Sequence, residues 1–527
     1  MRPDPRPAAS PQPAGAAATA TAPVRRRVSP ALCLGADLLI GMVAALGQAP
    51  WGLWPATVLA LSALIWRVAT APSSRAAAWR ALAIGAGHFA LALAWITQPF
   101  LVEADRYGWM SPFALLLTAL GGALFWALPA LAAHRFGWNR ASRAAALALA
   151  LLVSDWLRGW IFTGLPWALT GHIWIGTPAG QVAAWLGALG LSALTLLAAL
   201  LPVLGPGRRR VILGAGLSAA LIAAAWGAGL ARLAQPLPAD RGQIIRLVQP
   251  NADQTLKWDP YWAPQFYDRL TALSALPLDP ALGDGRPDLV VWPETAVPFL
   301  LNEAGPALQD IAAQSGATTL VGIQRSDGAA WFNSLAEFTP DARIDAVYDK
   351  FHLVPFGEYI PWGDALARFG ITAFAAQHGN GYSRGPGPQL MAVEGLPPFQ
   401  PLICYEAIFE RHLLRDQRPD WILQVTNDAW FGTWSGPYQH LAQARLRAIQ
   451  SGLPLLRAAN TGVSAVIDAR GGMRATLALN RKGVLDAPLP GALPPTLWWR
   501  WGDLPMLALM ALAAAALAIA RRRRHGH

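Results

Sequence analysis

The sequence predicts a multi-span α-helical membrane domain, with about eight transmembrane helices in all, joined to one α/β domain outside the cytoplasm. Three observations carry this prediction. The 527 residues are 54% hydrophobic and only 14% charged, whereas an average soluble domain is about 25% charged. Eight apolar runs recur along the chain, seven before and one after a long stretch of different character. Within that stretch, short apolar runs alternate with Pro, Gly and Asp turns, the pattern of buried strands. A disordered chain is excluded, because such chains are poor in apolar residues.

Residues 1–30 are rich in Pro, Ala and Arg and are expected to form a disordered basic tail. Apolar runs near 31–48, 51–70, 78–98, 112–133, 144–162, 179–203 and 211–231 predict a membrane domain over 31–235 with about seven helices. Each approaches the ~20 residues needed to cross a hydrocarbon core. The first two are short, with Pro50 between them. Six further runs after the first argue against a cleaved signal peptide. The α/β domain is placed at 240–495. Strands are expected at Gln243–Gln249, Asp288–Trp292, Thr318–Ile323, Pro401–Cys404 and Trp421–Thr426, and helices at Pro264–Leu276 and Gln439–Ser451. The run 503–520 predicts a C-terminal transmembrane helix, followed by a basic cytoplasmic tail at 521–527.

The net charge of +11 does not indicate nucleic acid. Only three of the 42 basic residues are lysines, Lys257, Lys350 and Lys482. The arginines gather in clusters that flank apolar runs, as cytoplasmic membrane flanks do, rather than tracking a phosphate groove. With the N-terminus inside, the inner loops hold Arg67, Arg75, Arg80, Arg135, Arg140, Arg143 and Arg208 to Arg210. The outer loops hold only Arg106 and Arg158. Eight spans then return Arg521 to Arg524 to the cytoplasm and leave 240–495 outside it. Trp498, Trp499 and Trp501 would mark the outer interface.

Several mechanisms are excluded by inspection. No lysine precedes Ser or Thr, no histidine precedes Glu, and no CxxC, GxSxG or GxGxxG occurs. A phosphate loop, a zinc helix and a nucleophile elbow of that type are therefore absent. Neither a cofactor nor a metal is expected. The two cysteines, Cys33 and Cys404, cannot build a disulfide framework.

Three segments end an apolar run on a reactive side chain: Val290-Val291-Trp292-Pro293-Glu294, Tyr348-Asp349-Lys350-Phe351-His352-Leu353-Val354-Pro355-Phe356-Gly357-Glu358, and Leu402-Ile403-Cys404-Tyr405-Glu406. Strand ends are where α/β folds place catalytic groups. Taken singly each has a plainer explanation: Glu294 as a turn or cap residue, Lys350 as a solvated charge, Cys404 as a small buried hydrophobe. Against that, a lysine kept in a chain so rich in arginine suggests a task that needs a compact ammonium. An unpaired thiol outside the cytoplasm is a flag for reactivity.

Together, the order Glu, Lys, Cys in these contexts resembles the nitrilase (carbon–nitrogen hydrolase) superfamily, whose domain is an αββα sandwich. Thr426 to Gly432, Gly436 to His440 and Tyr382 to Pro386 narrow the resemblance, as do Leu157-Arg158-Gly159-Trp160 and Gly164-Leu165-Pro166-Trp167 in the membrane half. A nitrilase-like domain between seven spans and one is similar to the apolipoprotein N-acyltransferase family. The resemblance implies Glu294 as general base, Cys404 as nucleophile and Lys350 as oxyanion stabiliser, with Glu358, Tyr405 and Glu406 in support. It implies acyl transfer from a membrane glycerophospholipid, through a cysteine thioester, to the α-amino group of diacylglyceryl apolipoproteins. The bacterial inner membrane is the implied location, with a periplasmic catalytic domain and a monomeric chain. The competing reading is a membrane-anchored amidase that hydrolyses its substrate.

Trp258 has a family counterpart that bears on the site. Trp430, Phe431 and Trp434, with Phe356, Tyr359 and Trp362, either dip toward the bilayer or pack within the domain. Arg158 either meets a lipid phosphate or, the favoured expectation, snorkels from a helix end.

Overall fold

The computed structural model describes residues 29–361 and 381–525. Eight helices occupy the apolar runs: α1 (Pro30–Ala45), α2 (Trp54–Ala69), α3 (Ser74–Ala92), α4 (Ser111–Phe136), α5 (Arg140–Arg158), α6 (Ala183–Leu200), α7 (Arg208–Leu233) and, after the α/β domain, α11 (Leu504–His525). Among the described residues four helical segments are long and apolar enough to cross a membrane alone: Ala104–Phe136, Pro178–Val203, Arg208–Leu233 and Leu504–Arg524. A fifth arises if Ser74–Ala92 and Ala94–Val102, bent by 66°, form one broken span. α1 and α2 are shorter, and α5 carries Arg140, Arg143, Asp155 and Arg158.

Small residues let these helices approach. A Cβ on Gly41 of α1 would lie 1.8 Å from the Ile84 carbonyl oxygen of α3, and one on Gly87 of α3 would lie 2.1 Å from that of Leu38. Backbone contact of this kind holds helices together where hydrophobicity gives no preference for protein over lipid.

The α/β domain has two sheets. One runs in the order β11-β1-β2-β3-β4-β5 and the other β10-β9-β8-β7-β6. Their strands are β1 (Ile244–Gln249), β2 (Leu289–Val291), β3 (Thr318–Asp327), β4 (Ala330–Phe338), β5 (Ile344–Asp349), β6 (Phe399–Ile403), β7 (Trp421–Thr426), β8 (Leu455–Ala459), β9 (Ser464–Ile467), β10 (Met473–Leu477) and β11 (Gly483–Pro488).

Period-two alternation divides the burial. Ile245, Leu247, Leu289, Val291 and Leu320 meet Phe399, Ile403, Leu423, Val425 and Leu456 in a core between the sheets. Val248, Val290, Trp292, Val321 and Ile323 face the other way, against α8 (Trp262–Ser274) and α9 (Gly305–Ser315). Ile422, Leu455 and Ala465 pack on Ala444 and Ala448 of α10 (Gly436–Ser451), with Trp498 and Trp499. The layers are therefore α, β, β, α.

Hydrogen bonds lock this domain onto the segment between α5 and α6. Tyr405 Oη donates to the Gly164 carbonyl (3.0 Å), Trp167 Nε1 to Gln439 Oε1 (2.6 Å) and Gln181 Nε2 to the Arg470 carbonyl (2.9 Å). Arg411 donates to the carbonyls of Gly159 and Thr163.

Arg158 corrects the snorkelling expectation. The loop after α5 folds back over it, leaving it 5% exposed. It donates to the Leu165 and Trp167 carbonyls, stands 3.6 Å from Asp155 Oδ1 and lies over the Phe89 ring. Its charge thus holds the 164–169 loop beneath the α/β domain. Asp155 Oδ2 fixes the same loop by accepting from the Thr170 N–H and hydroxyl.

Candidate active site

Glu294, Lys350 and Cys404 follow the ends of β2, β5 and β6, so both sheets deliver a reactive group to one edge of the sandwich. Cys404 leaves β6 with φ of +50°, an unfavourable value for a residue with a Cβ. This kink turns the chain at once into the tight helical turn Cys404–Ile408. The expected strand Pro401–Cys404 therefore ends one residue early, and the thiol stands at the corner.

Lys350 Nζ, 1% exposed, donates to Glu294 Oε1 (3.2 Å) and Glu358 Oε1 (2.8 Å). Asn333 of β4 joins the same two carboxylates, its Nδ2 lying 2.7 Å from Glu294 Oε1 and 3.2 Å from Glu358 Oε1. The second oxygen of Glu294 accepts the Asn427 N–H (2.9 Å), and that of Glu358 the Val354 N–H (2.9 Å). The expected members Glu294, Lys350 and Glu358 thus form one cluster. Asn333 and the Asn427 amide were not anticipated.

The charges follow from these contacts. Burial alone would raise the Glu294 carboxyl, but Lys350, Asn333 and the Asn427 N–H hold it below its usual value. Burial opposes the charge on Lys350, yet the carboxylates of Glu294 and Glu358 outweigh it, so the ammonium is kept. Burial and then the Glu294 charge push the Cys404 thiol well up, with Lys350 pulling the other way. The resting site holds a carboxylate, an ammonium and a protonated thiol.

Two further networks fix Cys404. Glu406, fully buried, accepts from the Ile403 N–H (2.8 Å) and Tyr348 Oη (2.8 Å) on one oxygen, and from the Phe351 (2.8 Å) and His352 (3.2 Å) N–H groups on the other. It splices the turn that carries Cys404 to the strand end that carries Lys350. On the far side, His440 Nε2 and Gln424 Nε2 lie 3.1 and 3.2 Å from the Cys404 carbonyl oxygen. His440 Nδ1 lies 2.9 Å from Asp428 Oδ1, and Arg457 donates to Asp428 Oδ2 and Gln424 Oε1 (both 2.5 Å). From the Thr426-to-Gly432 and Gly436-to-His440 segments quoted above, Asp428 and His440 thus grip the backbone of Cys404.

Glu406→Gln gives a direct check on that splice. An amide offers one acceptor oxygen where four donors converge, so stability is expected to fall by about 1–3 kcal/mol. Burial raises the Glu406 carboxyl from 4.5 to about 7. The folded chain then holds a proton between those values that the unfolded chain has lost, so native stability falls as pH rises from about 4.5 to 7. The Gln variant lacks that slope. Thermal unfolding of both proteins across this range measures it.

The remaining expected residues divide. Trp258 reaches the site through Lys257, whose Nζ lies 5.4 Å from the Trp258 ring and donates to Thr295 Oγ1 (3.0 Å) beside Glu294. Burial lowers Lys257 to about 8. Trp430 is half-buried. Phe431 packs among Trp95, Trp167 and His440, with ring centroids 4.9, 5.7 and 5.4 Å away. Phe356 and Trp434 are exposed. Trp362 lies outside the described residues.

The family model described as apolipoprotein N-acyltransferase N-terminal domain matches residues 40–201, and that for carbon-nitrogen hydrolase matches 249–493. The apolipoprotein N-acyltransferase of Allorhizobium ampelinum is 38% identical over 500 residues, covering 91% of this chain and 94% of the relative. That of Sinorhizobium fredii is 39% identical over 482 residues, covering 86% and 90%. A solved CN-hydrolase superfamily protein from Xanthomonas campestris, with an arsenic adduct in its active site, is 24% identical. It covers 54% of this chain and 95% of its own, with a TM-score of 0.34. This chain belongs to the apolipoprotein N-acyltransferase family.

Proposed function

We propose that this acyltransferase of lipoprotein biosynthesis takes an acyl chain from a membrane glycerophospholipid onto Cys404 and passes it to the α-amino group of a diacylglyceryl apolipoprotein. Glu294 removes the thiol proton as sulfur attacks the ester carbonyl carbon. Lys350 donates to the oxyanion that forms. When Glu294 accepts the proton it loses its charge, so Lys350 loses one of its two anionic partners as the oxyanion appears. The carbonyl re-forms, the C–O ester bond breaks, and the departing lysophospholipid oxygen takes the proton back from Glu294. The acceptor amine then attacks the thioester. Glu294 takes its proton, the C–S bond breaks, and the thiol is regenerated as the amide forms.

The observation that carries this reading is the Glu294–Lys350–Glu358 cluster beside a buried thiol on a chain with membrane-length helices. A second observation supports a lipid donor. An apolar groove of about 1600 Å³ runs between α3, α4, α5 and α11. It extends from Arg521 and Arg522 at one end to Phe356, two residues from Glu358, at the other. An acyl chain lying there would point its ester toward the triad.

Eight crossings with both termini in the cytoplasm and the α/β domain in the periplasm fit the arginine distribution and this donor.

The test is intact-protein mass after incubation with phospholipid. A gain of one acyl chain, released by hydroxylamine and discharged by a lipopeptide amine as amide, is expected. Release as free fatty acid, with no amide formed, would mean hydrolysis and the amidase reading.

A further inference from the structure

We propose that a second cavity, lined by other residues of α5 than the apolar groove, holds the phosphate of an anionic membrane lipid. α5 separates the two spaces. Leu149, Val153 and Leu157 of α5 line the groove, whereas Asp155 and Trp156 of α5 and Gly159 just beyond it line the second cavity. The second cavity, about 1090 Å³, lies between α5, α6, the 408–418 segment and the start of α11.

Among the described residues, five arginines line it against four acids. Arg447 is 2% exposed, and its Nε and Nη1 have no hydrogen-bond partner. The carboxylate oxygen of Glu410 stands 3.8 Å from Nη1, beyond hydrogen-bond reach. A buried guanidinium with open donors calls for an anion. The neighbouring acids do not fill that role. Asp503 Oδ1 accepts from Trp498 Nε1 (3.1 Å), and Glu410 Oε2 accepts from Gln450 Nε2.

The mouth identifies the carrier of that anion. Trp160, Trp501 and Leu504 are exposed there, at 53%, 58% and 64%, at the end of α11 opposite Arg521 to Arg524. Tryptophans at a helix end mark the membrane–water boundary. Exposed Arg415 and Arg500 stand in the same wall. An occupant with an anionic head at the arginines and a tail along Trp160 and Leu504 is an amphiphile. A free ion would leave the apolar mouth unfilled. This inference rests on membrane insertion, not on the roles assigned to Glu294, Lys350 and Cys404.

The test uses the full chain as Cys404→Ala, which lacks the thiol proposed to take the acyl chain, so binding is read apart from turnover. Native mass spectrometry in detergent would compare phosphatidylglycerol, phosphatidylcholine with the same chains, and inorganic phosphate. Phosphatidylglycerol is expected to bind at least about tenfold more tightly than phosphatidylcholine. Arg415→Glu with Arg500→Glu, both at exposed positions, should remove that preference, as should Arg447→Met. If Arg447→Met does not fold, the exposed pair alone decides. Equal binding of the two lipids, or a preference unchanged in the double variant, overturns the proposal. Full displacement by inorganic phosphate overturns the lipid as its source.

Discussion

Glu294→Gln is expected to slow acylation of Cys404 by phospholipid about 10²–10⁴-fold, the range for loss of a positioned general base. The amide keeps the shape and one acceptor oxygen, for either the Asn427 N–H or the Lys350 and Asn333 donors, but cannot take the thiol proton. The variant should separate two properties that usually fall together. The Glu294 charge helps to raise the thiol, so its removal makes the thiolate easier to form. Alkylation by iodoacetamide at pH 8 should therefore be no slower than in the parent, while single-turnover acylation collapses. A parallel fall in both rates would make Glu294 a structural partner of Lys350 and remove it from proton transfer.

Lys350→Arg tests charge against geometry. A guanidinium supplies the same charge, but it is longer and planar. Lys350 Nζ occupies a buried space bounded by Glu294 Oε1 at 3.2 Å and Glu358 Oε1 at 2.8 Å. The larger group would either crowd the acyl carbonyl or pull the carboxylates apart. Losing one aligned oxyanion donor costs about 10²–10³ in rate, and single-turnover acylation should fall by that amount with normal membrane insertion. A rate within a few-fold of the parent would show that Lys350 acts only as a cation.

The reactive residues were legible because each ends an apolar run, and buried strands are the part of an α/β fold that sequence displays most plainly. β1, β2, β3, β6 and β7 lie in or across the expected runs for that reason. Asn333 was not legible. It sits mid-strand in β4, among Trp331, Phe332 and Ser334, with no alternation to announce a strand. Its value comes from register: β4 places it between two carboxylates from other parts of the chain. Arg158 was misjudged because a helix end beside an outer loop normally leads to water. Whether it does here depends on the path of residues 159–169, which periodicity does not encode. The networks around Glu406 and His440 were visible as motifs, but their direction, toward backbone rather than substrate, needed coordinates.

The pairing of β1 with β11 bears on how the protein is made. Residues Ile244–Gln249 hydrogen-bond with Gly483–Pro488 in antiparallel register, so the first strand of the sheet waits for the last. At ribosomal rates of about 5–20 residues per second, that gap lasts roughly 10–50 s. During it β1 keeps an open edge, a template for wrong pairing, and a rich run of apolar side chains. Only about 15 residues separate β11 from α11. Closure of the sheet and insertion of the last helix therefore fall close together in synthesis. Premature stops or slow codons between residues 249 and 483 should lead to aggregation and degradation rather than to a shorter, partly active enzyme.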